Sequence, residues 1–369
     1  MDLAYPELFE KWWTERAEKK GLVLSELRRR IQFIRDIFTF ERRRNFYNYS
    51  KSEEHWLAYG FYWFPQNFVK TKIVLSEALN KGAFNKKSEI RFLDLGSGSG
   101  AGLFSAVSFF AERGNKISAV AVEKSKTAIK ILKEMYSELK SSLKFDLNVI
   151  EGDMRNTEFL KKVIGKDMTW DLVLIDYSLG EAFYGVEEEE FIEWFFKVAE
   201  LLRVGGTLII IEPALKETSE RLERVRDIIA KRDGFYIVAP CPHRYPCPLL
   251  KEARFWCHEV RTWVLPNSLR QIDRRFSYTL NDLRFSFLVL MKGEEKQHSV
   301  HPRLISPVAK LKGKFIFRLC GTDGKIHTVE VLKRNADERV KDILSTLKRG
   351  DEVGGRLELL LSSGKDTTH

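Results

Sequence analysis

Residues 92–100 read Phe-Leu-Asp-Leu-Gly-Ser-Gly-Ser-Gly, an apolar run closed by an acid and followed by three glycines at alternate positions. Glycine lets a backbone approach a ligand closely, and the free N–H groups of a helix opening behind such a loop can meet its polar atoms. A dinucleotide fingerprint would space its glycines G-x-G-x-x-G; here the pattern is D-x-G-x-G-x-G. On the C-terminal side, apolar runs alternate with amphipathic segments. Arg91–Leu95, Ile117–Val122, Leu147–Ile150, Leu172–Asp176 and Thr207–Glu212 read as strands with helices between them. That is the rhythm of an α/β chain with a doubly wound parallel sheet. Phe235–Ala239 and Phe285–Met291 are expected to add two strands.

The flanks differ in kind. Residues 1–85 carry apolar residues at helical spacing in Leu22–Phe40 and Phe68–Leu79 and predict an N-terminal helical region. Residues 86–292 hold the α/β domain, with a cysteine-rich insertion at 240–260. Residues 303–363, with strand-like Lys314–Leu319 and His327–Leu332 around the turn Gly321-Thr-Asp-Gly324, predict a small β-rich domain. The 369 residues, 44% of them hydrophobic, suffice for more than one core.

The net charge of +10 is uneven, with 17 basic against 11 acidic residues over 1–87, 21 against 26 over 88–239, and 24 against 15 over 240–369. In the first segment Arg28-Arg29-Arg30 and Arg42-Arg43-Arg44 are interleaved with Phe33, Phe38, Phe40, Phe46, Tyr47 and Tyr49. Such a mixture suits phosphate contact and base stacking, or else a solvated helix face over an aromatic core. No apolar run reaches the roughly eighteen residues of a membrane helix, so no membrane partner is expected. The first ten residues carry acids and no apolar leader core, which leads to the expectation of a cytoplasmic, reducing setting.

The glycine loop resembles the first motif of class I S-adenosylmethionine-dependent methyltransferases. The resemblance implies a Rossmann-like methyltransferase fold in which Asp94, Gly96, Ser97, Gly98 and Gly100 cradle the donor. It also puts Glu123, after the second strand, on the ribose hydroxyls, and Asp153 and Met154, within Glu151-Gly-Asp-Met-Arg155, beside the adenine. A carboxylate suits such places because it accepts several hydrogen bonds. Methyl transfer asks mainly for an acceptor held beside the sulfonium. After the fourth strand the chain reads Asp176-Tyr177-Ser-Leu-Gly180-Glu181, without the two prolines of amino-methylating nucleic-acid enzymes, and no cysteine precedes residue 241 to attack cytosine. Asp176 and Tyr177 are positional candidates for catalysis, and Asp176 also for the donor pocket.

All four cysteines, Cys241, Cys247, Cys257 and Cys320, follow the fifth strand. Thiolates at such positions suit a soft metal or an iron–sulfur cluster, although no Cys-x-x-Cys knuckle is present and four buried, inert thiols would read the same way. Cys241-Pro-His243-Arg-Tyr-Pro-Cys247-Pro, Trp256-Cys257-His258, the Leu-Gly-Glu after strand four, Glu212-Pro213 and Leu319-Cys320-Gly-Thr-Asp-Gly-Lys together resemble the methyltransferase-like assembly factors of the small ribosomal subunit. The resemblance spans roughly residues 60–355. It implies S-adenosylmethionine binding and a four-iron, four-sulfur cluster on Cys241, Cys247, Cys257 and Cys320, with zinc as the alternative metal. The implied partners are the small ribosomal subunit and its RNA, with the protein a monomer off the ribosome and methylation of that RNA its activity. A non-catalytic RNA clamp is the other reading. The family's Glu-Pro-Gly is replaced by Glu212-Pro213-Ala214. His243 and His258 suit either donors behind the metal ligands or turn residues, and with four thiolates at hand turn residues are expected.

Overall fold

The computed structural model describes residues 4–39, 52–84, 87–165, 169–273, 280–294, 300–354 and 364–368. They form two compact units: Met1–Ile211 with Thr262–Leu283, and Glu212–Arg261 with Arg284–His369.

The first unit opens with α1 (Glu7–Lys19), α2 (Leu24–Thr39) and α3 (Glu53–Asn80). Sequence periodicity marks only the second half of α3. The helix begins fifteen residues earlier, at Glu53, where the Ser52 hydroxyl accepts the His55 N–H. Its first half is apolar and aromatic on every side and carries Pro65, so no amphipathic stripe marks it. Burial accounts for that composition: Phe9 and Trp13 of α1 pack on Phe68 and Phe64 with ring centroids 5.1 and 5.4 Å apart. Tyr5, Phe9 and Trp13 are core residues. Of the basic aromatic stretch, Arg30 pairs with Glu26 and Glu54, Arg28 donates to the Gln271 carbonyl, and Phe33, about half exposed, stacks on His55. Phe40, Arg42, Arg43, Arg44, Phe46, Tyr47 and Tyr49 lie outside the described residues.

The α/β part runs β1 (Glu89–Leu95), α4 (Ala101–Ala111), β2 (Lys116–Glu123), α5 (Lys126–Leu143), β3 (Asp146–Glu151), α6 (Thr157–Ile164), β4 (Trp170–Asp176), α7 (Leu179–Ala182), α8 (Glu188–Ala199) and β5 (Leu202–Pro213). The strand order is β3-β2-β1-β4-β5, all parallel. Helices on a parallel sheet bury its strands on both faces, hence the apolar run Leu172–Ile175 of β4, a strand buried in all but its last residue. Asp94 stands level with Ala121 of β2 and Leu174 of β4, so the carboxyl ends of three neighbouring strands converge behind the glycine loop. This is a Rossmann-like class I methyltransferase fold.

The second unit contains α9 (Lys216–Ile229), β6 (Phe235–Ala239), β7 (Glu259–Thr262) and β8 (Asp282–Lys292); β6 runs antiparallel to β8. A second sheet is built from β9 (Arg303–Leu304), β10 (Ala309–Leu311), β11 (Lys314–Cys320), β12 (Ile326–Leu332) and β13 (Gly364–Thr368). It is ordered β10-β11-β12-β13, with β9 antiparallel on β11. Phe317, Leu319, Val329 and Val331 alternate inward along β11 and β12 and pack with Leu344 of α10 (Glu338–Thr346). Among the described residues no helix is long and apolar enough to cross a membrane.

Candidate functional site

β1 delivers Asp94 and the glycine loop to the carboxyl edge of the parallel sheet, the place where open α/β folds bind ligands. Gly96, Gly98 and Gly100 have φ of +75°, +53° and +96°. A Cβ on Gly96 would also lie 2.5 Å from Cβ of Ser178, so conformation and space both demand glycine there. Glu123 Oε2 accepts the Gly98 N–H at 2.9 Å and Oε1 accepts the Ser125 N–H at 2.7 Å. The carboxylate thereby ties the loop to β2 and retains lone pairs for a ligand, while burial raises its pKa against those bonds. Asp94 is buried, and neither of its oxygens has a hydrogen-bond partner among the described residues. Burial, with Asp176 and Glu123 nearby, holds its carboxyl well above the usual range. The buried hydroxyls of Ser97 and Ser99 have no partner there either. Orphaned acceptors and hydroxyls around a glycine cradle fit a cationic nucleoside such as S-adenosylmethionine.

Met154 is buried, its carbonyl accepts the Trp194 indole N–H at 2.8 Å, and its sulfur lies 3.1 Å from where a Gly96 Cβ would be. Asp153 is already engaged: Arg155 Nε and Nη2 reach its Oδ2 at 3.0 and 2.6 Å, and the Arg155 N–H donates to Oδ1 at 2.9 Å. Although burial works the other way, Arg155 holds the Asp153 carboxyl low. Asp176 ends β4 with Oδ2 3.0 Å from where a Gly102 Cβ would be, and Tyr177 has φ +57°. Glu123 and Met154 thus meet the glycine loop and Asp176 the helix that follows it, while Asp153 is engaged by Arg155. What sequence reading missed is α3. Trp56 lies 3.5 Å from where a Gly98 Cβ would be, Asn67 Nδ2 donates to the Tyr59 hydroxyl at 3.0 Å, and Lys70 Nζ donates to Asn67 Oδ1 at 3.3 Å. Lys70 Nζ also stands 4.6 Å from the Tyr177 ring centroid. The available signal was Trp56, Tyr59, Trp63, Asn67 and Lys70, a helical-spacing series that places two polar residues, Asn67 and Lys70, in line with aromatic ones.

In the second unit all four cysteines line one cavity of about 40 Å³. α9 organises it. Its Asp227 carboxylate accepts the Cys247 N–H at 2.9 and 3.0 Å and its Glu223 Oε1 accepts the Cys257 N–H at 2.6 Å. Arg226 Nε reaches Cys241 Sγ at 3.3 Å, and its two terminal nitrogens donate to the carbonyls of Tyr245 and His243. Cys320 ends β11, and Cys247, Cys257 and Cys320 pack with Leu249 and Ile305. Burial pushes the Cys320 thiol up to about 12 and those of Cys247 and Cys257 further, so without metal they are neutral thiols. His243 is more than a turn residue: its Nε2 is 3.3 Å from Cys320 Sγ, and burial with the adjacent Arg226 lowers its pKa to about 4. His258 Nδ1 faces the Trp256 carbonyl at 3.2 Å.

Among the described residues no group of three or more His, Cys, Asp or Glu is arranged to hold a metal ion, so neither the zinc nor the cluster centre expected from sequence is preformed. Zinc bonds of ~2.3 Å would draw four sulfurs to ~3.8 Å of one another. The four thiols line this one cavity, and the guanidinium groups of Arg226 and Arg303 act on Cys320.

A family model described as mitochondrial small ribosomal subunit Rsm22 matches residues 53–351. The chain belongs to the Rsm22 family. The Rsm22 match takes in the glycine loop, α3 and all four cysteines. The human mitochondrial ribosome assembly protein METTL17 is 25% identical over 186 residues, covering 47% of this chain and 37% of that protein. The Rsm22-cox11 tandem protein 2 of Schizosaccharomyces pombe, also mitochondrial, is 22% identical over 309 residues, covering 73% and 39%. The chain thus spans less than two fifths of the length of these Rsm22 relatives. Among solved structures, the precorrin-6y C5,15-methyltransferase of Geobacter metallireducens shows 12% identity over 59% of this chain and 86% of that one, with a TM-score of 0.35. The cytoplasmic setting expected from the first residues is overturned: the curated Rsm22 relatives are mitochondrial proteins. Sorting segments are removable and read separately from the fold, so the composition of the first ten residues was no guide to compartment.

Proposed function

We propose that this chain is an S-adenosylmethionine-binding, iron–sulfur factor of small ribosomal subunit assembly that binds and methylates ribosomal RNA, as a monomer off the ribosome. The supporting observation is that one Rsm22 match, residues 53–351, spans both a donor-type glycine cradle and the four cysteines that line a single cavity. In this reading Asp94, the 96–100 loop and Glu123 hold the donor, and Met154 packs beside its base. Asp176 and Tyr177 border the place for an acceptor. The bound donor would supply an electrophilic methyl group. Cys241, Cys247, Cys257 and Cys320 would hold the cluster, fastening the 241–257 segment to β11. Residues 1–85 would form a basic cap, 86–292 the donor domain and 303–363 the β-rich tail.

Ribosomal RNA from cells lacking the protein is expected to lose one methyl mark by mass spectrometry. An unchanged set of marks would overturn methylation and favour a clamp that uses the donor as a structural ligand. One observation favours that second reading: the Asp176-Tyr177-Ser178 segment lacks the paired prolines of amino-methylating enzymes.

A further inference from the structure

Lys70 lies in the middle of α3 and is only 6% exposed. An ammonium carries three N–H donors, and the hydrogen bond it makes, to Asn67 Oδ1, is long at 3.3 Å. The face of Tyr177 supplies a cation–π contact but no acceptor. Near the end of β1, Asp94 has the opposite deficit, a buried carboxyl group with neither oxygen hydrogen-bonded among the described residues. Asp176 is close enough for its charge to act on both Lys70 and Asp94, which places the two groups around the same carboxyl edge of the sheet. A buried charge without partners is costly and marks a place where a partner arrives. One acceptor and one donor of opposite charge, beside a glycine cradle, make a receptor for a zwitterion.

We propose that Lys70 anchors the α-carboxylate of the methyl donor. The assignment rests on the donor-binding reading above and adds to it the recognition of the donor's amino-acid end by a helix outside the α/β motifs. The signs of charge are complementary. Asp94, Glu123 and Asp176 present three carboxyl groups against one lysine, and the donor arrives net positive, with a sulfonium and an ammonium against one carboxylate. Burial lowers Lys70 to about 8, which leaves it mostly protonated at neutral pH. Were Lys70 only the counter-ion of Asp176, its replacement would disturb every ligand of the pocket alike.

Two ligands separate these outcomes. S-adenosylhomocysteine carries the adenosine, thioether and amino acid; 5′-methylthioadenosine carries the adenosine and thioether alone. Calorimetric titration of the whole chain with each is expected to show Lys70→Met weakening S-adenosylhomocysteine about 10- to 100-fold, as for a lost hydrogen bond to a charged group, with methylthioadenosine within about twofold of wild type. Retained methylthioadenosine binding also reports a folded pocket, and Lys70→Gln carries the same comparison if the methionine variant does not fold. Equal weakening of both ligands, or of neither, would overturn the carboxylate assignment. Wild-type protein that binds neither ligand would overturn the donor reading itself, a result separate from any effect of Lys70.

Discussion

Replacing Arg226 by methionine should unfold the cysteine-bearing segment more readily than any other single change in the second unit. The side chain is 2% exposed and meets Cys241 Sγ, the carbonyls of His243 and Tyr245, and Asp227 Oδ1 at 2.6 Å. Burial opposes its charge, yet Cys241 and Asp227 hold its proton more tightly than water would. Methionine fills much of the volume but leaves two carbonyls without their donor and Asp227, which also holds the Cys247 N–H, without its cation. Breaking a buried charge pair costs about 3–5 kcal/mol. With urea slopes of about 1–3 kcal/mol per molar, the midpoint should fall by about 1–5 M, and amides of residues 241–247 should lose hydrogen-exchange protection first. Arg226→Lys should fall between, since a lysine keeps the charge but not the planar fork. A methionine variant within about 1 kcal/mol of wild type would refute the view that α9 organises the cysteine loop.

Cys320→Ser should abolish absorbance near ~400 nm and reduce iron to background in anaerobically purified protein, because a four-cysteine cluster loses a ligand; stoichiometric zinc in wild type would contradict the cluster. Lys70→Met should stabilise the ligand-free protein at pH 7. The wild-type pKa falls from an ordinary 10.5 to about 8, so the unfolded chain binds more protons between those values and wild-type stability rises with pH through that window. The variant should lack this rise and gain at most ~3 kcal/mol at neutral pH, read by denaturant titration at several pH values.

The parallel sheet was legible because each strand is an apolar run between amphipathic helices. β6 matches its expected limits, β1 and β4 extend theirs by two residues at the start, and β2 by one residue at each end. The glycine loop was legible from its spacing alone. α3 was half missed because its aromatic first half has no polar face, and Lys70 looked like one more lysine in a basic region rather than the buried cation of a pocket. Arg226 was hidden in the charged run Glu223-Arg-Val-Arg226-Asp227 of α9; only the fold brings it under Cys241. Likewise Cys320 is far from Cys241 in sequence, and β11 carries it to the same cavity. His243 was expected to be a turn residue because four thiolates already make a complete ligand set; its contact with the Cys320 sulfur emerges only from the fold.

The most direct test of the ribosomal assignment is ultraviolet crosslinking of the chain in cells followed by sequencing of the attached RNA. The account predicts strong enrichment of small-subunit ribosomal RNA at a few discrete sites. Crosslinks spread over messenger or transfer RNA, or no crosslinked RNA above background, would contradict it.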